Sequence, residues 1–222
     1  MQFIYHKDAK VQSLEISGEL YNYLFRVRRH KIQDILNFRN LNDNFLYFYK
    51  ITHIDKKKAI LTFVNKEKKI VLPKKYLELI WCIIDPKSIE KSLPLLNEIG
   101  VSKITFVYCD KSQKNFKLKL EKLQKILINS SQQCGRSSLM KLEVIDRLDK
   151  VIKDSENLIV LDFSKNKVKY LDNIRKVLIG PEGGFSESEK ELFKNLKVLG
   201  FDTPLILRSQ SASIAISAKI LL

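Results

Sequence analysis

The chain has 222 residues, and its 40 Lys and Arg against 25 Asp and Glu give a formal net charge of +15 at pH 7. Because 45% of the residues are hydrophobic, the chain can bury a core, which excludes a wholly disordered protein. The longest apolar run, at residues 79–84, is far shorter than the roughly 20 residues that cross a bilayer. We therefore expect a folded protein without a membrane span.

The N-terminus and the cysteines indicate the compartment. Charged residues from His6 onward interrupt the first apolar residues before a signal peptide can develop, so we expect a cytoplasmic protein. The spacing of Cys82, Cys109 and Cys134 matches no zinc-binding pattern. We therefore expect three reduced cysteines and no bound metal.

The positive charge has two competing explanations. An AT-rich genome enriches lysine codons, and that bias alone would raise the net charge without any functional meaning. Alternatively, the excess serves a polyanionic partner, because so much positive charge on a short chain otherwise adds self-repulsion. We favour nucleic acid as the partner.

Residues 1–72 are predicted to form a small β-barrel domain. Three short runs rich in β-branched and aromatic residues are separated by turn residues, and these runs are 2–5, 45–53 and 59–64. Residues 73–76 contain Pro73 and form the expected linker to a second domain at 77–222.

The small domain also carries the candidate RNA contacts. Basic residues stand close in sequence to Tyr and Phe, a mixture suited to phosphate contacts and base stacking, and the candidates are Arg26, Arg28, Arg29, Lys31 and Arg39. Arg26 and Arg28 alternate along an expected strand, so they would share one face. The alternative is that these side chains only solvate the domain.

From residue 77 the pattern changes to strands alternating with helices. The strand candidates are 79–84, 104–108, 142–145, 158–162, 177–180 and 205–208. An apolar stripe at helical spacing predicts a helix through Phe116, Leu120, Leu123 and Leu127. Ser186 and Glu189 have capping-box spacing, which predicts a helix start. This alternation predicts an α/β domain with a mostly parallel sheet and helices on both faces.

Three segments combine small, polar and basic residues at the ends of predicted elements. The first, at 177–186, is a strand that runs into Gly180-Pro-Glu-Gly-Gly184, and open α/β sheets bind ligands at such strand ends. The second, at 205–213, precedes an apolar final helix. The third, at 132–136, ends a helix at Gly135 and leaves Arg136 beside it. The alternative readings are a tight connection for the first segment and a helix-capping charge for Arg136.

Together these segments closely resemble the ribosomal RNA small subunit methyltransferase E family, in the SPOUT class of knotted methyltransferases. The family pattern Gln-Ser-x-Arg stands here as 133–136 (Gln-Cys-Gly-Arg), and Gly-Pro-Glu-Gly-Gly-Phe as 180–185. The pattern Ile-Leu-Arg-Thr-Glu-Thr-Ala stands as 206–212 (Ile-Leu-Arg-Ser-Gln-Ser-Ala). Gln210 and Cys134 depart from the family pattern, as does the stretch 202–204.

The resemblance implies methyl transfer from S-adenosylmethionine to N3 of one uridine in 16S rRNA of the small ribosomal subunit. It also implies a C-terminal trefoil-knot domain, an N-terminal PUA-like RNA-binding barrel and a homodimer. The implied catalytic candidates are Arg136, Arg208 and Glu182. The implied cofactor-binding residues are Leu161, Asp162, Phe163, Gly180, Pro181, Glu182, Gly183, Gly184, Leu205, Ile206, Leu207, Ser211 and Ala212.

Two alternatives to this function stay open at the level of the sequence. One is a related SPOUT methyltransferase that acts on a ribose 2′-hydroxyl or on another RNA. The other is an RNA-binding ribosome assembly factor without catalysis. Binding of S-adenosylmethionine separates the assembly factor from both enzymes, and the identity of the methylated nucleoside separates the two enzymes.

Overall fold

The computed structural model describes residues 1–113, 115–152, 157–168 and 173–222. The chain divides into two compact units. The first comprises Met1–Leu72 with Ile128–Leu139, and the second comprises Pro73–Leu127 with Met140–Leu222. The division at residue 72 lies beside the expected linker, whereas no pattern in the sequence predicts that Ile128–Leu139 packs with the first unit. The domain limits 1–72 and 77–222 stay a prediction.

The first unit is built on a five-stranded mixed sheet. Its strands in chain order are β1 (Ile4–Tyr5), β2 (Ser13–Ser17), β3 (Ile35–Arg39), β4 (Phe45–Ile54) and β5 (Lys58–Lys68). They are arranged as β1-β3-β4-β5-β2, with β1 parallel to β3 and the remaining pairs antiparallel. Leu14 and Ile16 alternate with exposed residues along β2, so one face of the sheet covers a core. The expected small β domain is confirmed.

The segment between β2 and β3 contradicts one prediction. A short helix, α1 (Gly18–Tyr21), continues directly into a turn of π-helix at Asn22–Val27, so Arg26 and Arg28 do not alternate along a strand. Tyr21 and Leu24 are buried and lie three residues apart, which is helical spacing. The alternation of Arg26 and Arg28 predicts a strand, but the helical spacing of these two buried residues fits the observed structure.

The second unit contains a fully parallel sheet. In the described ranges its strands are β6 (Glu78–Cys82), β7 (Lys103–Val107), β8 (Lys141–Ile145), β9 (Leu158–Leu161), β10 (Lys176–Ile179) and β11 (Lys197–Leu199). Their order is β11-β9-β10-β6-β7-β8, so the chain builds outward from β6 to β8 and then returns to the other side of β6. This confirms the predicted α/β fold class. The trefoil knot that the resemblance implies stays a prediction.

The sixth strand is not the predicted one. The segment 205–208 forms an exposed loop, and β11 takes the edge position instead. Leu205 and Ile206 are 73% and 80% exposed. Their apolar side chains give the sequence pattern of a buried strand, but in the structure they border a cavity.

Helices lie on both faces of the parallel sheet, as expected. In the described ranges, the helices that follow β6 are α2 (Pro86–Ile99), α3 (Leu120–Cys134), α4 (Leu148–Ile152), α5 (Glu187–Glu191) and α6 (Ser209–Leu221). Ile80 packs on one face with Leu148 of α4, whereas the neighbouring Trp81 turns to the other face and meets Ser209 of α6. The helix α3 begins only at Leu120, so Phe116 of the predicted stripe lies before it.

The cysteines contradict the expectation that all three are reduced. Cys82 and Cys109 form a disulfide, with 5.8 Å between their Cα atoms, and Cys134 is not part of this bond. Cys82 ends β6, and Cys109 lies two residues beyond the end of the adjacent strand β7. Parallel pairing thus brings together two residues that are 27 positions apart in the chain, a proximity that their spacing does not reveal.

Within the described ranges, no helix has both the length and the apolar character that crossing a membrane requires.

Candidate functional site

A cavity of about 390 Å³ lies in the second unit, where β9, β10 and β11 end. Three loops line it, namely residues 161–167 after β9, 179–185 around the end of β10, and 200–212 after β11. In open parallel sheets, ligands bind at the carboxyl ends of strands where the chain reverses its order across the sheet. The cavity lies beside such a reversal. After β8, on one side of β6, the chain continues with β9, β10 and β11 on the other side of β6.

The glycine turn after β10 has the geometry of a ligand cradle. Gly184 lines the cavity with φ of +68°, and nothing lies within 4 Å of the position that its Cβ would take. Its amide donates to the carbonyl oxygen of Pro181 at 2.9 Å and closes the turn. At Gly180 a Cβ would come within 3.1 Å of the Phe185 ring, so that position also favours glycine. The turn thus brings main-chain groups close to the cavity.

A capped helix supports this turn, as the sequence predicted. The Ser186 hydroxyl accepts from the Glu189 amide, and the Glu189 carboxylate accepts from the Ser186 amide, which completes the capping box of α5. Phe185 is buried against Phe193, with ring centroids 4.7 Å apart. The turn is therefore fixed at its downstream end by both hydrogen bonds and packing.

The loop before α6 forms a second wall of the cavity. Leu205, Ile206, Leu207 and Arg208 all line it and are exposed. The next residue, Ser209, is buried, and its hydroxyl donates to the Gly180 carbonyl oxygen at 2.6 Å. This hydrogen bond joins the second wall to the glycine turn.

The loop after β9 completes the lining. Phe163 is 80% exposed at the rim, and Asp162 donates its amide to the carbonyl oxygen of Leu199. Gly200 lies so close to Ser164 that a Cβ would come within 2.9 Å of main-chain atoms. Glycine is thus required where the loops after β9 and β11 meet.

Most of the predicted cofactor residues border this cavity, but two do not. Gly183 borders a second depression on the side of Lys111, and Ser211 borders neither. Sequence reasoning also missed part of the lining, and the missed residues are Ser164, Lys167, Ile179, Phe185, Gly200, Phe201, Thr203 and Ser209. Gly200 carried a usable signal, since an isolated glycine within an apolar stretch often marks close backbone contact.

Two of the three catalytic candidates border the cavity. Arg208 and Glu182 are both exposed there. Arg136 belongs to the first unit, where it follows Gly135, whose φ is +88°, at the end of α3. Its side chain is buried, and this burial lowers the pKa of its guanidinium more than the nearby Cys134 raises it. The group nevertheless stays charged near neutral pH.

The five RNA-contact candidates of the first unit divide into two groups. The four exposed ones are Arg26, Arg28, Arg29 and Lys31. Arg28 stacks over the ring of Tyr23 at 5.3 Å and donates to its hydroxyl at 2.9 Å. Arg39, in contrast, is 2% exposed and donates to the carbonyl oxygens of Phe45 and Lys69. Arg39 is therefore a structural residue of this unit, and its assignment as an RNA contact is corrected.

No group of three or more His, Cys, Asp or Glu side chains that could hold a metal ion occurs in the part of the chain that the structure describes.

Comparisons with known proteins identify the class. The family model described as an RNA methyltransferase domain matches residues 72–221, and one described as an RNA methyltransferase PUA domain matches residues 16–64. A parallel sheet with a cavity at its strand ends fits the first description, and the five-stranded mixed sheet fits the second. The chain is thus an RNA methyltransferase with a PUA domain.

Relatives of similar length identify the family within this class. Ribosomal RNA small subunit methyltransferase E of Helicobacter pylori (strain ATCC 700392 / 26695) is 43% identical, with 98% of both chains covered. The protein of that name from Aquifex aeolicus is 30% identical over 86% of this chain and 87% of its own. The chain belongs to the ribosomal RNA small subunit methyltransferase E family.

Solved structures share the fold. Ribosomal RNA small subunit methyltransferase E from Neisseria gonorrhoeae, bound to S-adenosyl methionine, has a TM-score of 0.81 at 17% identity, covering 99% of this chain and 96% of its own. A Legionella pneumophila methyltransferase in complex with its cofactor SAM has a TM-score of 0.82 at 23% identity, with the same coverage.

Proposed function

We propose that this chain methylates N3 of a specific uridine in 16S rRNA of the small ribosomal subunit, with S-adenosylmethionine as the methyl donor. Membership of the family supports the reaction. The observation that carries the proposal for this chain is the cavity where β9, β10 and β11 end, which three loops of the second unit line.

The residues around the cavity fit the cofactor. The cavity of about 390 Å³ lies within the usual range of small-molecule sites, roughly 300–1,000 Å³. The open space at Gly184 gives a ligand access to the main chain of the turn. Apolar side chains of Leu161, Ile206 and Leu207 would cover its adenosine portion, while main-chain groups of Gly180 and its neighbours would bind the polar atoms. When bound, the cofactor supplies a methyl group on a sulfonium.

The remaining chemistry concerns the uracil. Its N3 carries a proton and becomes nucleophilic when that proton is lost, so the site must stabilise negative charge that spreads over the two carbonyl oxygens. Arg208 borders the cavity and would place a guanidinium beside these oxygens, and Arg136 is the second candidate for this role. Glu182 would either accept the proton or hold the loop.

The first unit supplies the proposed grip on rRNA. Its exposed Arg26, Arg28, Arg29 and Lys31 offer phosphate contacts, and the guanidinium of Arg28 is already stacked on an aromatic ring. These contacts would hold the RNA without reading its sequence. We also propose that the protein acts in the cytoplasm, where its substrate is made.

A homodimer is the proposed assembly. The final helix α6 is apolar and is the candidate contact surface, although Ile216 and Ile220 are already buried within the chain. Sedimentation at micromolar concentration tests this assembly. We expect a species of twice the 25.9 kDa chain mass, and a single 25.9 kDa species would contradict it.

Nucleoside analysis tests the reaction. We expect rRNA from a strain that lacks the gene to lose 3-methyluridine, and the purified protein to restore it with S-adenosylmethionine. A 2′-O-methylated nucleoside in its place would indicate the related ribose methyltransferase. Failure to bind S-adenosylmethionine in calorimetry would indicate an assembly factor.

A further inference from the structure

Residues 109–112, which we call the brace, follow β7 and form a closed turn. The Ser112 amide donates to the Cys109 carbonyl oxygen at 3.0 Å, and the Cys109 amide donates to the Ser112 hydroxyl at 3.2 Å. The disulfide attaches Cys109 to Cys82 at the end of β6. The brace is therefore anchored to two strands of the parallel sheet.

Asp110 of the brace joins the turn to the start of α5. Its amide donates to Glu189 Oε1 at 2.9 Å, and its carboxylate accepts from the hydroxyls of Ser186 and Ser188. Glu189 is the buried carboxylate of the capping box, so one side chain serves both elements. These contacts set the distance between the brace and the glycine turn that precedes α5.

Lys111 reaches from the brace to the glycine turn itself. Its Nζ donates to the carbonyl oxygen of Gly183 at 3.0 Å. Its alkyl chain covers Gly183, since a Cβ on that glycine would lie 3.3 Å from Lys111 Cδ. The contact is made beside the second depression, which Gly183 borders, rather than inside the 390 Å³ cavity.

The hydrogen bond completes the fixation of one peptide group. The Gly183 carbonyl and the Gly184 amide belong to the same peptide, and the amide already donates to Pro181. A peptide between two glycines rotates easily, because neither residue carries a Cβ to restrict it. With Lys111 on the oxygen and Pro181 on the amide, this peptide is held from both sides in the conformation that presents Gly184 to the cavity.

We propose that Lys111 is a positioning residue for the methyl-transfer reaction, holding the Gly183–Gly184 peptide in the orientation that binds S-adenosylmethionine. This inference rests on the proposed function. An ordered turn loses less conformational entropy when it binds a ligand, so the contact favours affinity without touching the cofactor. Lys111 therefore acts on the binding of the cofactor more than on the turnover of bound substrate.

The direction of the change in cofactor affinity distinguishes a positioning role of Lys111 from a purely electrostatic one. S-adenosylmethionine carries net positive charge at pH 7, since its sulfonium and ammonium outweigh its carboxylate. If Lys111 acted only through its charge, its removal would leave cofactor affinity unchanged or raise it. A positioning role predicts the opposite, a loss of affinity when the ammonium is removed.

Calorimetric titration with S-adenosylmethionine tests this on the full-length protein. We expect Lys111→Met to weaken binding about fivefold, the scale of one lost hydrogen bond, and Lys111→Arg to restore most of it. The matched control is Lys194→Met. Lys194 borders the same depression and carries the same charge, but it pairs with Glu191 and does not contact the glycine turn. The control should bind like the parent.

Steady-state kinetics and thermal unfolding complete the test. We expect Lys111→Met to raise the KM for S-adenosylmethionine by a similar factor, with little change in kcat and an unchanged unfolding temperature. The inference is overturned if Lys111→Met binds S-adenosylmethionine like the parent. It is also overturned if Lys194→Met loses as much affinity as Lys111→Met. Absence of binding by the parent protein would instead overturn the proposed function, so the two failures are distinguishable.

Discussion

Ser209 donates its hydroxyl hydrogen to the carbonyl oxygen of Gly180 at 2.6 Å, and so ties the first turn of α6 to the first residue of the glycine turn. The same hydroxyl accepts from Nε1 of Trp81, a buried residue of β6, at 2.9 Å. One serine thus fixes two walls of the proposed cofactor site against the middle of the sheet. This relationship leads to the first prediction.

Ser209→Ala should lower the free energy of unfolding by about 2 kcal/mol, because it leaves a buried indole N–H and a carbonyl oxygen without their partner. It should also weaken S-adenosylmethionine binding, since both walls lose their connection. Trp81 is the one tryptophan of the chain, so its fluorescence reports the change directly. Urea denaturation and calorimetry provide the two measurements.

A serine one turn further along α6 provides the control. The Ser213 hydroxyl is buried and donates to the main-chain oxygens of Ser209 and Gln210 within the same helix. Ser213→Ala should leave cofactor affinity and tryptophan fluorescence close to those of the parent. Equal behaviour of the two variants would show that the Ser209 contact has no special role.

Gly184 and Gly183 should respond differently to the addition of a methyl group. Gly184 has φ of +68°, which costs an L-residue about 1–2 kcal/mol, and it borders the cavity. Gly184→Ala should therefore weaken S-adenosylmethionine binding. At Gly183, which lacks positive φ, the new Cβ meets only the flexible side chain of Lys111. Gly183→Ala should have the smaller effect, and the reverse order in calorimetry would contradict this assignment.

Local signals explain which parts of the site could be predicted from the sequence. The glycine turn and the capping box depend on residues within a few positions of one another, so local sequence patterns predict both. The same holds for five of the strands in the parallel sheet, whose apolar runs match β6 to β10 within two residues at each end. These elements also place the cavity at the carboxyl ends of β9 and β10.

The errors concern partners that are distant in the chain. The apolar side chains of 205–208 predict a strand, but in the structure they border a cavity rather than a core. The sequence predicts Arg39 as an RNA contact, whereas its guanidinium is buried and donates to the carbonyl oxygens of Phe45 and Lys69. The disulfide could not be predicted, because the pairing of β6 with β7 brings its two cysteines together. In each case the deciding contact is set by the fold.

Arg136 is predicted to act in the chemical step. Arg136→Lys keeps the positive charge but replaces the planar guanidinium, which can donate to two acceptors at once, by a single ammonium. We expect turnover to fall on the order of 10²-fold, or about 2.7 kcal/mol in the barrier. Single-turnover methylation of rRNA measures this rate. Cofactor affinity should barely change, and unchanged turnover would assign Arg136 to capping α3.

Alkaline pH should destabilise the first unit through Tyr47. Burial, followed by the hydrogen bond to Asp43, raises the pKa of Tyr47 to about 12. The unfolded chain ionises this group near its ordinary value of about 10, whereas the folded chain keeps it neutral, so stability falls as the pH rises from about 10 to 12. Urea denaturation across this range should show a smaller decline for Tyr47→Phe. Identical pH dependence of the two proteins would exclude Tyr47 as the cause.

The last prediction concerns the proposed RNA grip of the first unit. Arg26 and Arg28 lie at the end of the π-helix, both exposed, with Arg26 donating to the carbonyl oxygen of Lys56 and Arg28 stacked on Tyr23. If both contact phosphates, the double variant Arg26→Ala, Arg28→Ala should reduce the slope of log affinity against log salt by about 0.7–0.9 for each lost contact. Filter binding of 16S rRNA at several salt concentrations measures the slope. Cofactor affinity should stay unchanged.

A charge-matched double variant separates local contact from overall charge. The double variant Lys87→Ala, Lys197→Ala removes two exposed positive charges from the second unit and should change the slope less.

Arg29 is a further test of the same surface. Its φ is +59°, so Arg29→Gly removes a charge and relieves backbone strain. This variant should lower RNA affinity without lowering stability. If the Arg26, Arg28 variant stays folded and binds rRNA with the parent's affinity and salt slope, these arginines serve only solubility and the RNA surface lies elsewhere.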